Sequence, residues 1–243
     1  MTLQLRCTPL LADRVRGDGQ KDRGSGSENT STQTLPWNEA AFERHSKMAV
    51  KLGRLAANNT AFFLCDIQEK FRPSIRYFPE IIKVAQRMAT AANILKIPVI
   101  ATEQYPKGLG NTVEEIDTSP FKDRVFSKTK FSMVIPEVEE QLKQLNVENI
   151  VLMGIETQVC VLQTTMDLLE RNYNVHVLAD GVSSRTMVER MFALERIRQI
   201  GGFVTTSECT LFMLMGDSKH PNFKEVQALV KTASPDSGLL SKV

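Results

Sequence analysis

The chain has 243 residues, 42% of them hydrophobic and 24% charged, the make-up of an ordinary globular protein with room for one domain and an appendage. Thirty basic against 28 acidic residues leave a formal charge of +2, too even to favour nucleic acid or an anionic membrane as a partner. No apolar run approaches the roughly 18 residues of a membrane span, and three scattered histidines (His45, His176, His220) make a histidine-rich metal site improbable.

In chain order, the first stretch is poor in large apolar residues, and Gly17 to Ser31 is almost wholly small or polar. Such composition cannot offset the entropy of ordering, so residues 1–54 are expected to be a disordered extension and 55–243 the folded domain. No apolar core of a secretory signal is visible, which points to a cytoplasmic protein with free thiols. Arg6, Arg14, Arg16 and Arg23 keep a mitochondrial address open, and Ser241-Lys242-Val243 a peroxisomal one. "TAFFLCDI" (Thr60–Ile67) is a short continuous apolar run, the mark of a strand buried on both faces. A helix over Pro79–Lys96 and a strand at Pro98–Thr102 follow, then a Gly- and Pro-rich loop from Glu103 to about Asp123. Next come a short strand near Val125–Ser127, a helix at Pro136–Leu145 and the strand Asn149–Ile155. Helix Val159–Arg171, strand Asn174–Asp180, helix Thr186–Ile200 and strand Gly202–Thr206 continue the alternation, and helical segments near Thr210–Met215 and Asn222–Lys231 close it. Alternating strands and helices with continuous apolar strands predict an α/β fold, a three-layer α/β/α domain around a parallel sheet of about six strands. There is no G-x-G-x-x-G and no P-loop, so a dinucleotide or P-loop cofactor lacks its phosphate cradle.

Ligands of open parallel sheets sit beyond the carboxyl ends of the strands, and three reactive residues stand there. Asp66 ends the first strand, as a cap or as a general base. Cys160 follows strand Asn149–Ile155 where a helix begins, a place where the backbone dipole favours thiolate; a buried structural cysteine is the commoner reading. Lys128 is a solvated charge unless it folds back on the other two.

Taken together, "FFLCDIQEKF", "KTKFSMV" and "GIETQVCV", with "TEQYPKGLG", "DGVSSR" and "PDSGLLSKV", resemble the isochorismatase-like cysteine hydrolase superfamily, and within it the animal isochorismatase domain-containing group. The resemblance covers about Leu55 to Val243. It implies a triad of Asp66, Lys128 (rather than Lys130) and Cys160, with Gln68 and Phe71 completing the D-x-Q-x-x-F block. It also implies a cis peptide at Ile155–Glu156 and an oxyanion hole from the backbone N–H groups of Glu156 and Cys160. Cysteine would attack a carbonyl, Asp66 would shuttle the proton and Lys128 would hold Asp66.

The loop after the second strand has no D-x-H pattern, which speaks against the metal site of nicotinamidases; no metal and no cofactor are expected. True isochorismatases generally lack the cysteine that is present here. The expectation is therefore a cysteine hydrolase cleaving an amide or related C–N bond of a small molecule. A non-catalytic interaction protein and a thiol redox sensor on the same fold, the latter with Cys65 beside Asp66 as the partner of Cys160, are the alternatives. Phe71, Gln104, Tyr105, Phe131, Ile155 and Val159 are candidate pocket residues. Met187, Met191, Phe192 and Leu194 on one helix suggest a homo-oligomer.

Overall fold

The computed structural model describes residues 51–239. Expectations for residues 1–50, Cys7 among them, and for Ser241–Val243 lie outside the described residues.

Six parallel strands form a single sheet: β1 (Thr60–Cys65), β2 (Val99–Gln104), β3 (Val125–Lys128), β4 (Asn149–Ile155), β5 (Asn174–Ser183) and β6 (Phe203–Thr205), in the order β3-β2-β1-β4-β5-β6. The helices are α1 (Phe78–Leu95), α2 (Pro106–Leu109), α3 (Pro136–Leu145), α4 (Leu162–Glu170), α5 (Met187–Gln199), α6 (Ser207–Met215) and α7 (Phe223–Val230). The chain builds outward from β1 through β2 to β3, then returns to the other side of β1 with β4. That reversal is a topological switch point between β1 and β4, and ligands of such sheets bind beyond the carboxyl ends of the strands there.

Every residue of β1 and β4 is buried, as expected for central strands covered on both faces. Alternation along β1 divides its side chains between two cores. Phe62 and Leu64 pack with α1, α6 and α7, whereas Ala61, Phe63 and Cys65 pack with α3, α4 and α5. Cys160 belongs to this second core, so Cys65 and Cys160 share one side of the sheet.

Several element bounds differ from the sequence expectation. The supposed loop Glu103–Asp123 contains α2 and a 3-10 segment, Ser119–Arg124, and β2 runs two residues beyond Thr102. Strand β5 continues three residues past Asp180, because a bulge opposite Leu152 and Gly154 lets Val182 and Ser183 rejoin Gly154 and Ile155. Gly154, at φ +125°, is needed there: a Cβ would collide with the Cys65 carbonyl. The helix expected from Val159 begins instead with a π-helical turn, Thr157–Val161, before α4. On α5, Leu194 proves buried in the core, while Val188, Met191 and Phe192 are exposed. Among the described residues no helix is long and apolar enough to cross a membrane.

His176 on β5 is buried and stacks on Phe203 with ring centroids 4.7 Å apart. Burial lowers its pKa from 6.5 to about 4, so the unfolded chain takes up a proton in that window and the folded one does not. Stability from this group is complete above pH 6.5 and lost as pH falls through 4, about 3 kcal/mol in all. Urea unfolding of His176→Phe, which keeps an aromatic ring against Phe203, is expected to lack this part of the acid loss. An equal loss in both proteins would show that another group is responsible.

Candidate active site

Asp66 follows β1 directly and adopts a left-handed backbone, φ 52°, a conformation that Asp tolerates better than most residues. Its carboxylate is 1% exposed and meets the Nζ of Lys128, itself 0% exposed, at 2.6 Å. Lys128 reaches it from the carboxyl end of β3, in register with Gln104 on β2. Three further oxygens accept from the same ammonium: Gln104 Oε1 at 2.7 Å, Phe131 O at 2.9 Å and Lys130 O at 3.2 Å. The other Asp66 oxygen accepts from the Thr102 hydroxyl at 2.8 Å. Cys160 enters from the π-helical turn after β4 and is 7% exposed. The sulfurs of Cys65 and Cys160 and an Asp66 carboxylate oxygen all lie within 4.8 Å of one another.

The turn carrying Cys160 is anchored on both sides. Val159 and Val161 both donate to the Glu156 carbonyl, at 3.0 and 3.2 Å. Thr164 donates to the Cys160 carbonyl at 2.6 Å and accepts from the Met133 amide at 2.8 Å, which ties the turn to the segment after β3. The peptide joining Ile155 and Glu156 is cis, at the bond the resemblance implies.

Burial dominates the electrostatics. It raises the Asp66 pKa against the opposing pull of Lys128, Thr102 and Cys160. The Cys65 thiol is pushed well up by burial, by its hydrogen bond with Cys160 and by the charge of Asp66. Burial alone would depress Lys128, yet the acidic groups of Cys65, Asp66 and Cys160 around it keep its pKa above the usual lysine value. The arrangement is a buried acid–ammonium pair beside two thiols. A carboxylate in that position can take a thiol proton and give it up again.

The structure brings Asp66, Lys128 and Cys160 together, and separates Lys128 from Lys130, which pairs with Asp167 at 2.6 Å on the surface. Gln104 contacts Lys128 and donates to the Thr129 carbonyl at 2.9 Å. Its own backbone is held by Gln68, which accepts from Gln104 N at 2.7 Å and donates to Gln104 O at 3.0 Å and Gly110 O at 2.6 Å. Tyr105 and Phe131 are exposed, Phe71 and Val159 half-buried, and Ile155 is wholly within the core. Glu103, at the loop where nicotinamidases carry metal ligands, accepts instead from the amide and hydroxyl of Thr112, at 2.7 and 2.9 Å. One neighbour escaped the sequence reading. Thr102 is the register partner of Cys65, a pairing invisible without strand order.

Residues 60–209 match the isochorismatase domain model. Isochorismatase domain-containing protein 1 of Salmo salar is 56% identical over 193 residues, 79% of this chain and 68% of that one. Isochorismatase domain-containing protein 2 of Xenopus laevis is 55% identical, over 79% of this chain and 93% of that one. A solved structure described as MAR1 ribonuclease from Caenorhabditis elegans is 54% identical and superposes with a TM-score of 0.75, covering 78% of this chain and all of that one.

Proposed function

The chain belongs to the isochorismatase family, and from that premise we propose a cysteine hydrolase that cleaves an amide or related C–N bond of a small molecule. The observation that carries this reading is the approach of the Cys160 sulfur to the Asp66 carboxylate, which pairs with Lys128 at 2.6 Å. In this reading Asp66 takes the Cys160 proton, and the sulfur attacks the substrate carbonyl. The backbone amides of Glu156 and Cys160 receive the developing oxyanion, each such donor being worth about 10²–10³-fold. Asp66 then protonates the departing nitrogen, and later activates the water that cleaves the thioester. Lys128 keeps its charge beside Asp66 throughout and positions it. Tyr105 and Phe131, exposed near the Lys128 segment, and the half-buried Phe71 and Val159 are the proposed contacts for substrate. The exposed Val188, Met191 and Phe192 on α5 support self-association.

The ribonuclease name of the nematode relative raises phosphodiester cleavage as a second possibility. Lys128, the cation of the cluster, is already directed at four oxygens of the protein itself, which favours the amide reading. Brief iodoacetamide treatment followed by peptide mapping tests the nucleophile. Accessibility alone would label the exposed Cys209 before the buried Cys160; the proposed chemistry predicts the reverse order. A screen of small amides, ureido compounds, nicotinamide and an RNA oligonucleotide, with Cys160→Ala as control, then tests the reaction. Labelling of Cys209 ahead of Cys160, or RNA cleavage that survives Cys160→Ala, would overturn the proposal.

A further inference from the structure

The hydrolytic steps leave one buried thiol of the site without a task. Cys65 directly precedes Asp66, is wholly buried, and faces the same core as Cys160. Its sulfur lies 3.6 Å from Asp66 Oδ2 and within 4.8 Å of the Cys160 sulfur. Two thiols and a carboxylate at such spacing have the donor set for a thiophilic cation. The same Oδ2, however, accepts from Lys128 Nζ at 2.6 Å, so a metal ion there would meet an ammonium at close range. The cation position is filled. What remains open to the two sulfurs is reaction with each other.

We propose that Cys65 is a resolving thiol for Cys160, so that a peroxide converts the pair into a disulfide that stops hydrolysis until a thiol reduces it. The inference rests on the reading of Cys160 as the reactive cysteine. In the first step the Cys160 thiolate attacks one peroxide oxygen, the O–O bond breaks, and the second oxygen leaves as hydroxide, becoming water on protonation. In the second step the Cys65 sulfur attacks the sulfur of the Cys160 sulfenic acid. The S–O bond breaks, and the hydroxyl departs as water with the proton of Cys65. Two thiols thus lose two electrons and two protons, and one peroxide becomes two waters.

The site contains what each step needs. Cys160 is 7% exposed and Cys65 0%, so the oxidant meets Cys160 first. Cys65 is kept as a thiol by burial, by Cys160 and by Asp66, and therefore waits for the sulfenic acid. Asp66 Oδ2 is the neighbour placed to relay its proton to the departing hydroxyl when the S–S bond forms. Closing the gap to a bond of about 2 Å requires the sulfurs to approach. Cys160 sits in a π-helical turn rather than in regular helix, a geometry frequent at functional sites. The disulfide also spares the nucleophile from irreversible oxidation.

The test uses the full-length protein, dosed with about two equivalents of hydrogen peroxide, blocked with iodoacetamide and digested without reductant. The expected product is a linked Cys65–Cys160 peptide about 2 Da lighter than the two thiols, with loss of alkylation at Cys160 that dithiothreitol restores. In Cys65→Ala the same dose is expected to carry Cys160 to sulfinic acid, about 32 Da heavier and resistant to dithiothreitol. Should that variant fail to fold, the wild-type peptide map decides alone. A Cys160 that alkylates fast in untreated protein yet gains oxygen, or links to another cysteine, in place of the Cys65 bond would overturn the inference and leave the hydrolase reading intact. A Cys160 that neither alkylates nor oxidises ahead of Cys209 would overturn both.

Discussion

Turnover of the substrate found by the amide screen is expected to fall about 10³-fold in Asp66→Asn, the middle of the range for loss of a positioned acid–base group. The variant is isosteric and keeps a hydrogen-bonding oxygen at this place, although the buried Lys128 ammonium loses its carboxylate. Lys128 loses one acceptor of four and keeps Gln104 Oε1, Phe131 O and Lys130 O. The Thr102 hydroxyl can still donate to the amide oxygen in place of the Asp66 carboxylate oxygen it now serves. The loss should appear in kcat, measured below the melting temperature of the variant, which falls because the buried Lys128 is left without its counter-ion. Steady-state rates within tenfold of wild type would remove Asp66 from the role of base.

The reverse substitution, Lys128→Met, is expected to be the more damaging one for stability. It leaves Asp66, 1% exposed, with the Thr102 hydroxyl and neighbouring thiols but no cation. Breaking a buried pair from one side costs about 3–5 kcal/mol, unless the carboxylate is neutralised. The pH dependence gives the mechanism away. Burial already holds the Asp66 pKa above 3.8 in the wild type, with Lys128 opposing it, and without Lys128 it must rise further. A carboxyl whose folded pKa is raised contributes stability that is complete below the unfolded value and lost as pH rises through the folded one. The difference between wild type and Lys128→Met should accordingly be small near pH 4 and reach its full size at pH 8. Chemical denaturation at the two values measures it. A gap independent of pH would assign the loss to packing rather than to the uncompensated charge. The same variant should slow alkylation of Cys160, since its base is then neutral over much of that range.

The sequence alone carried the strand–helix alternation, because burial on both faces of a parallel sheet writes itself locally as short apolar runs, and helices write their own period. Asp66, Lys128 and Cys160 were legible for a related reason: each stands at a strand end, where the chain must leave the core, and each sits in a block resembling one family. Tertiary structure decided the rest. The loop Glu103–Asp123 lacks apolar periodicity, and its order comes from the distant Gln68 and from Glu103 bonding across the loop to Thr112. The end of β5 reads as a turn in "DGVSSR", yet it rejoins the sheet because β4 offers it Gly154 and Ile155 across a bulge. Thr102 and Cys65 became site residues through parallel pairing, which joins segments separated by a whole helix and follows strand order, not local pattern. Lys128 illustrates both sides: its position at the end of β3 was visible along the chain, but the four oxygens that receive its ammonium lie on three separate segments, and only the folded sheet brings them to one point.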